Sequence, residues 1–179
     1  MPRLLFLLIP LLLIACGDME KEVGERGYYE EYFSQEIKQL TATNKGILKH
    51  TTTEDEVEQW SCDTMSREMW KSELRGFLNA PEVLTNDTAN YIISNDSSGI
   101  YQVVRYTAKD TMASLLKWEI TMVNGELEMI NWETQTRSVL LDRNVELNYQ
   151  PQKGYRIQII EDPMWGDPKM TEVFAEFTN

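Results

Sequence analysis

The chain has little with which to carry out reactive chemistry. Its 179 residues include two cysteines and a single histidine, His50. A Ser-His-Asp or Cys-His site needs a base beside its nucleophile. His50 lies in Lys49-His50-Thr51-Thr52-Thr53, which reads as a solvated connector. Structural and catalytic zinc sites collect three or four ligands, often at short spacings, and neither a CxxC nor an HExxH pattern is present. Phosphate-cradling glycine loops are missing too: Gly24 and Gly27 have no strand pattern before them and no Gly-Lys-Ser/Thr after. Ser114-Leu115-Leu116-Lys117 has a Ser-x-x-Lys spacing, but it leads into alternating Leu116, Trp118 and Ile120. That is a strand pattern, not the helix that would bring the two side chains together.

Basic charge is scarce. Lys and Arg total 17 against 29 Asp and Glu, a formal net charge of −12. This balance argues against nucleic acid as a partner and against docking of the protein surface on anionic headgroups. A charged macromolecular partner would be basic.

Long apolar runs are limited to one, from Leu4 to Ala15, preceded by Met-Pro-Arg and followed by Cys16-Gly17-Asp18. About a dozen apolar residues fall short of the roughly 20 that span a bilayer. One early positive charge and a small residue before the break make the segment a secretory leader. Leu13-Ile14-Ala15-Cys16 resembles the lipobox of bacterial lipoproteins. The resemblance implies cleavage before Cys16, acylation of its sulfur, and attachment to a membrane of the bacterial envelope. Gly17 follows the cysteine and Asp18 comes one place later, which favours the outer over the inner membrane. Several acyl chains hold far more firmly than one.

Removing residues 1–15 leaves 164 residues, enough for one domain with its own core. Arg3 goes with the leader, so 16 basic residues face 29 acidic ones, a net charge of −13. With Cys16 used by lipid, Cys62 has no partner for a disulfide and is expected as a small buried apolar residue. Residues 16–27 are acidic and glycine-containing and read as a flexible tether; residues 28–179 form a single α+β domain.

Within that domain, Tyr29, Tyr32, Phe33, Ile37, Leu40, Ile47 and Leu48 recur at a helical period, predicting a helix over 27–49. Thr53 with Glu56 three residues on predicts a capping box, opening a second helix that ends before Pro81, with a break near Ser61 to Asp63. The period then changes to two. Strands are predicted at Asn90–Ser94 and Gly99–Thr107 across an Asn95-Asp96-Ser97-Ser98 turn, and at Leu115–Val123 and Glu126–Thr136 across Asn124-Gly125. In strict register that hairpin sets Ile120 against Met129 and Trp118 against Asn131. A one-residue bulge near Ile130 would restore Trp118 against Trp132. Further strands are predicted at Ser138–Leu141, Val145–Gln150, Tyr155–Glu161 and Met170–Phe177.

The expected architecture is two N-terminal helices on a curved antiparallel meander of five to seven strands. In shape alone it resembles cystatin-like and NTF2-like cones; a lipocalin-like barrel is the competing picture. Trp118, Trp132 and Tyr149 are expected in the core. Trp165 and Met164, in a Pro- and Gly-bounded loop, are candidate binding residues. Thr88 and Thr111, in Asp-Thr-apolar triplets, fit O-glycosylation signals of some exported bacterial proteins.

No catalytic residue, metal or cofactor is assigned. The leading expectation is a lipid-anchored, non-enzymatic binding or accessory protein. Open alternatives are an immunity or inhibitor protein against a basic toxin or hydrolase, a carrier of an apolar ligand, and a glycan hydrolase using two of the acidic residues, with Glu119, Glu126, Glu128 and Glu133 on the central hairpin.

Overall fold

A computed structural model describes residues 25–54, 56–78 and 88–179, with backbone alone for 25–28. The leader, Cys16 and the predicted helix end at Pro81 lie outside the described residues. Helix α1 spans Glu25–Ala42 and begins inside the predicted tether. It buries Tyr29, Phe33, Glu36, Ile37 and Leu40, the spacing of a single helical stripe. It does not continue to residue 49. Asn44 takes a left-handed φ of 52° and Lys45 N donates to Leu40 O at 3.0 Å, a helix-terminating arrangement. Gly46–Thr52 is then strand β1.

The predicted second helix is also corrected. Thr53 and Glu56 do bond each other, Glu56 N to Thr53 Oγ1 at 3.2 Å and Thr53 N to Glu56 O at 2.9 Å, but the bonds close a hairpin turn. Strand β2, Val57–Cys62, returns along β1 with Ile47 opposite Cys62. Helix α2, Arg67–Glu73, starts only after Ser66, whose hydroxyl accepts from Met69 N; α3, Arg75–Leu78, follows at once. The side-chain chemistry of an N-cap and of a short turn is the same, so the partner strand decided between them.

After a 3₁₀ turn at Thr88–Asn90 come β3 (Tyr91–Ser98), β4 (Tyr101–Ala108), β5 (Leu115–Val123), β6 (Glu126–Arg137), β7 (Leu141–Gln150), β8 (Gly154–Pro163) and β9 (Lys169–Thr178). Residues 95–98, predicted as a turn, belong to β3, and the reversal falls at Gly99, whose φ is 60°. The β5–β6 hairpin turns on Asn124 and Gly125, both at positive φ. Its register shifts twice, at Leu116 and at Glu128; the shift at Glu128 lies two residues from the predicted bulge, so Met122 faces Leu127, Ile120 faces Ile130 and Trp118 faces Trp132. The strand predicted at Ser138–Leu141 is instead a turn that ends where β7 begins at Leu141: Ser138 Oγ accepts from Leu141 N at 3.0 Å and Ser138 N donates to Leu141 O at 3.1 Å.

The result is one curved antiparallel sheet of nine strands in the order β2-β1-β9-β8-β7-β6-β5-β4-β3. Nine strands exceed the five to seven expected: seven consecutive ones, β3 to β9, form an antiparallel meander. The β1–β2 hairpin extends it because β1 pairs with β9, Ile47 against Phe177. Strands β2 and β3 are the two edges and do not pair, so the sheet is open and the barrel picture is excluded.

Among the described residues, helices cover one face only. Phe33 lies 5.1 Å from Tyr149 between ring centroids, Phe77 lies 5.2 Å from Trp132 and 5.3 Å from Tyr155, and Trp70 meets Phe177 at 4.8 Å. Such pairs add to the burial of their large apolar area. Two carboxylates pin the helices to this layer. Glu36 accepts from Tyr149 Oη at 2.7 Å and from Gln152 N at 2.8 Å, while Glu73 accepts from Tyr155 Oη and pairs with Lys49. Burial, together with the facing carboxylate, pushes both tyrosine hydroxyls up; Tyr29 is pushed up by burial and by Tyr32.

Candidate functional site

Strand alternation sends the neighbours of these core residues to the opposite face. No described helix covers it. Register aligns one row across every strand: Gln59, His50, Phe174, Arg156, Asn148, Asn131, Glu119, Arg105 and Ser94. Four of these side chains are joined in a chain of hydrogen bonds. Arg105 Nε donates to Glu119 Oε2 at 2.5 Å, Asn131 Nδ2 to Glu119 Oε1 at 3.3 Å, and Asn148 Nδ2 to Asn131 Oδ1 at 2.5 Å. Lys117 adds a second cation, 3.4 Å from Glu119.

Glu119 is only 8% exposed although it stands on the uncovered face. Its neighbours enclose it. Burial pushes its carboxyl up, but the bonds from Arg105 and Asn131 and the charges of Lys117 and Arg105 outweigh burial and hold it below the ordinary carboxylate range. Glu119 is therefore a fixed anion at neutral pH, and a poor proton donor.

Beside this row runs a second: Lys117, Glu133, Glu146, Gln158 and Glu172. Arg156 Nε donates to Glu172 at 2.7 Å and links the two rows. The parts of the two rows on β6–β9, with Lys117, line a depression of about 1000 Å³: Asn131, Asn148, Arg156 and Phe174 from the first and Glu133, Glu146 and Gln158 from the second, while Glu119 and Arg105 stand beside it. Phe174 is 47% exposed, an apolar ring in the middle of a polar face between His50 and Arg156. Glu133 and Glu146 stand directly opposite each other, where Cβ atoms are about 4.5–5.5 Å apart.

His50 is not a connector residue: it lies in mid-strand in β1, paired with Gln59 and Phe174. Cys62 faces the other side of the sheet, opposite Ile47, and its thiol donates to Thr64 O at 3.3 Å. Sulfur and imidazole are thus on opposite faces and form no dyad. Among the described residues no three His, Cys, Asp or Glu side chains converge as a metal-holding group, and no helix is long and apolar enough to cross a membrane.

Trp165 and Met164 lie at the β8–β9 connection, 73% and 57% exposed. They are far from the Arg105–Asn148 row, at the end of the sheet that also carries the β4–β5 and β6–β7 loops. Thr111 is exposed in the β4–β5 loop, and its carbonyl accepts from Gln135 Nε2; Thr88 is exposed in the 3₁₀ turn. Sequence reasoning placed Glu119 on a wet face and missed that Arg105, Asn131 and Asn148 gather around it. The signal existed only as isolated polar residues in alternating strands, and pairwise register was needed to connect them.

No protein-family model matches the chain, and no curated protein matches it.

Proposed function

We propose that this chain is a lipid-anchored lipoprotein of the bacterial envelope, held through Cys16, that acts as a non-enzymatic binding or accessory protein with the helix-free face of its sheet as the recognition surface. The observation that carries this reading is the hydrogen-bonded row Arg105–Glu119–Asn131–Asn148 beside an open depression. A network of satisfied polar groups holds its members in place, and such preorganisation lowers the ordering cost of binding. An anion fixed between two cations offers hydrogen bonding and shape rather than proton transfer. The formal charge of −12 supports a basic protein as partner, in keeping with an inhibitor or immunity role.

Capture from envelope extract with the full acylated chain tests the proposal, compared with an Arg105→Ala, Asn148→Ala variant. The expected result is a defined ligand retained by the first and lost by the second. Equal capture by both would remove the helix-free face from the reading. One observation favours a second reading, a glycan hydrolase: the opposed pair Glu133 and Glu146. Cleavage of envelope glycan that is abolished by Glu133→Gln or Glu146→Gln would replace binding with hydrolysis.

A further inference from the structure

The end of the sheet away from the Asn124-Gly125 turn carries an apolar surface that the recognition face does not use. Val139 and Leu140, in the β6–β7 turn, are 83% and 60% exposed; Met164 and Trp165 are 57% and 73% exposed. Met164 N donates to Leu140 O at 2.9 Å, so two loops of different hairpins present these four side chains together. The β4–β5 loop joins them from the other side through Met112, 63% exposed, whose sulfur accepts from Arg137 Nη1 at 2.8 Å. Single exposed apolar residues are ordinary, whereas adjoining ones at the tips of successive loops mark an interaction surface.

The course of the chain says what lies against this end. Helix α1 crosses the sheet obliquely: its C-terminal end joins β1 at Gly46, beside the β7–β8 turn, while Tyr29 in its first turns packs on Trp118 of β5 at 6.2 Å. Trp118 is three residues from Leu115, the end of β5 that receives the β4–β5 loop. The chain therefore enters the domain from over β5, displaced toward the apolar end. Only eight residues separate Cys16 from Glu25, nine Cα–Cα steps that span at most about 30 Å. A membrane that holds Cys16 is within the reach of one small domain from these loops.

We infer that the loop end formed by Met112, Val139, Leu140, Met164 and Trp165 inserts into the surface of the bilayer that holds the anchor. Trp165 is the residue type suited to a headgroup boundary, with a large apolar body and one N–H for the wet side. Flanking charges come in both signs, Arg137 and Lys169 with Asp142 and Asp167, so the attraction is to the apolar layer and not to anionic headgroups. The consequence is orientation: with the loop end down, the helix-free face stands upright beside the membrane, open to a soluble or wall-bound ligand.

The inference rests on the anchored reading above, and the test separates the two. The acylated full chain is reconstituted into phosphatidylcholine vesicles with and without brominated acyl chains, and tryptophan fluorescence is read for the native chain and for Trp165→Phe. Quenching by brominated lipid that largely disappears in Trp165→Phe, and falls in a Val139→Asp, Met164→Asp variant that still floats with the vesicles, is the expected outcome. Flotation with no quenching, or with quenching equal in native chain and Trp165→Phe, overturns the insertion and leaves the anchor standing. Self-association lost in the Val139→Asp, Met164→Asp variant, with no quenching, assigns the patch to a second copy and likewise overturns it. A chain that shows no acyl mass on Cys16 and does not float defeats both.

Discussion

The two faces of the nine-stranded sheet are built from the same strands, residue by alternate residue, yet they solve opposite problems. On the helix-covered face Trp118, Trp132, Tyr149, Tyr155 and Phe177 are all buried, and two carboxylates, Glu36 and Glu73, receive tyrosine hydroxyls. On the open face Glu119 is nearly as enclosed as those aromatics, but its neighbours are Arg105, Lys117 and Asn131. Burial of aromatic area stabilises the first face by the hydrophobic effect. The second face is ordered mainly by a polar network whose net contribution to stability is modest: Glu119 is enclosed, but its cations Arg105 and Lys117 are 38% and 40% exposed, and ion pairs that reach solvent typically give about 0–1 kcal/mol. An ordered network that contributes little to folding is a surface free to serve recognition.

The comparison can be broken most directly on the covered face. Phe77→Ala removes a ring in contact with Phe33, Trp132, Tyr149 and Tyr155 and is expected to cost about 3–5 kcal/mol, read by denaturant unfolding. Alkaline pH attacks the same layer. Tyr29, Tyr149 and Tyr155 have hydroxyls raised above their ordinary value of 10.0, so the folded chain retains protons that the unfolded chain releases. Their contribution is complete below pH 10 and is lost as the pH climbs further, by about 1.4 kcal/mol per tyrosine per pH unit until each folded value is reached. Unfolding midpoints measured across pH 9–12 check this. A Tyr149→Phe, Tyr155→Phe variant should show a shallower decline.

Glu36→Ala leaves the Tyr149 hydroxyl and Gln152 N–H without their acceptor and is expected to cost about 1–3 kcal/mol. The smallest change belongs to the open face. Glu119→Gln should cost about 1 kcal/mol at neutral pH, because the amide keeps an acceptor and the released Arg105 and Lys117 still reach solvent. Its depressed carboxyl stabilises the fold above the unfolded value and loses that contribution as the pH falls through the folded one, so the acid limb of the native stability curve should flatten in Glu119→Gln. If Glu119→Gln instead destabilised as strongly as Phe77→Ala, the contrast between a folding face and a recognition face would fail.

Particular residues show how far the strands could be read in advance. Asn124-Gly125 announced its hairpin because both positions require positive φ, a property of the residues themselves. Val145, Leu147 and Tyr149 pair with Ile159, Ile157 and Tyr155, as alternation within the predicted strands Val145–Gln150 and Tyr155–Glu161 allows. Exposure of Trp165 followed from the turn residues around it. Ile47 and Leu48 were assigned to a helix because two adjacent apolar residues fit a helical stripe as well as a strand. Pairing with Phe177 and Glu176, far along the chain, decided the matter. Val139 and Leu140 read as strand residues by composition, while a serine side chain folded them into an exposed turn.

The sequence alone determined local conformation where a residue's own sterics or a nearby hydrogen bond settled it, and it determined the alternation that makes one face apolar and the other polar. Only the tertiary structure decided that β1 closes onto β9, that the sheet stays open between β2 and β3, and that Arg105, Glu119, Asn131 and Asn148 form one chain of contacts. The reason is range. Period and capping act over a few residues, whereas register between strands is fixed by hydrophobic burial and backbone pairing between segments that are distant in sequence.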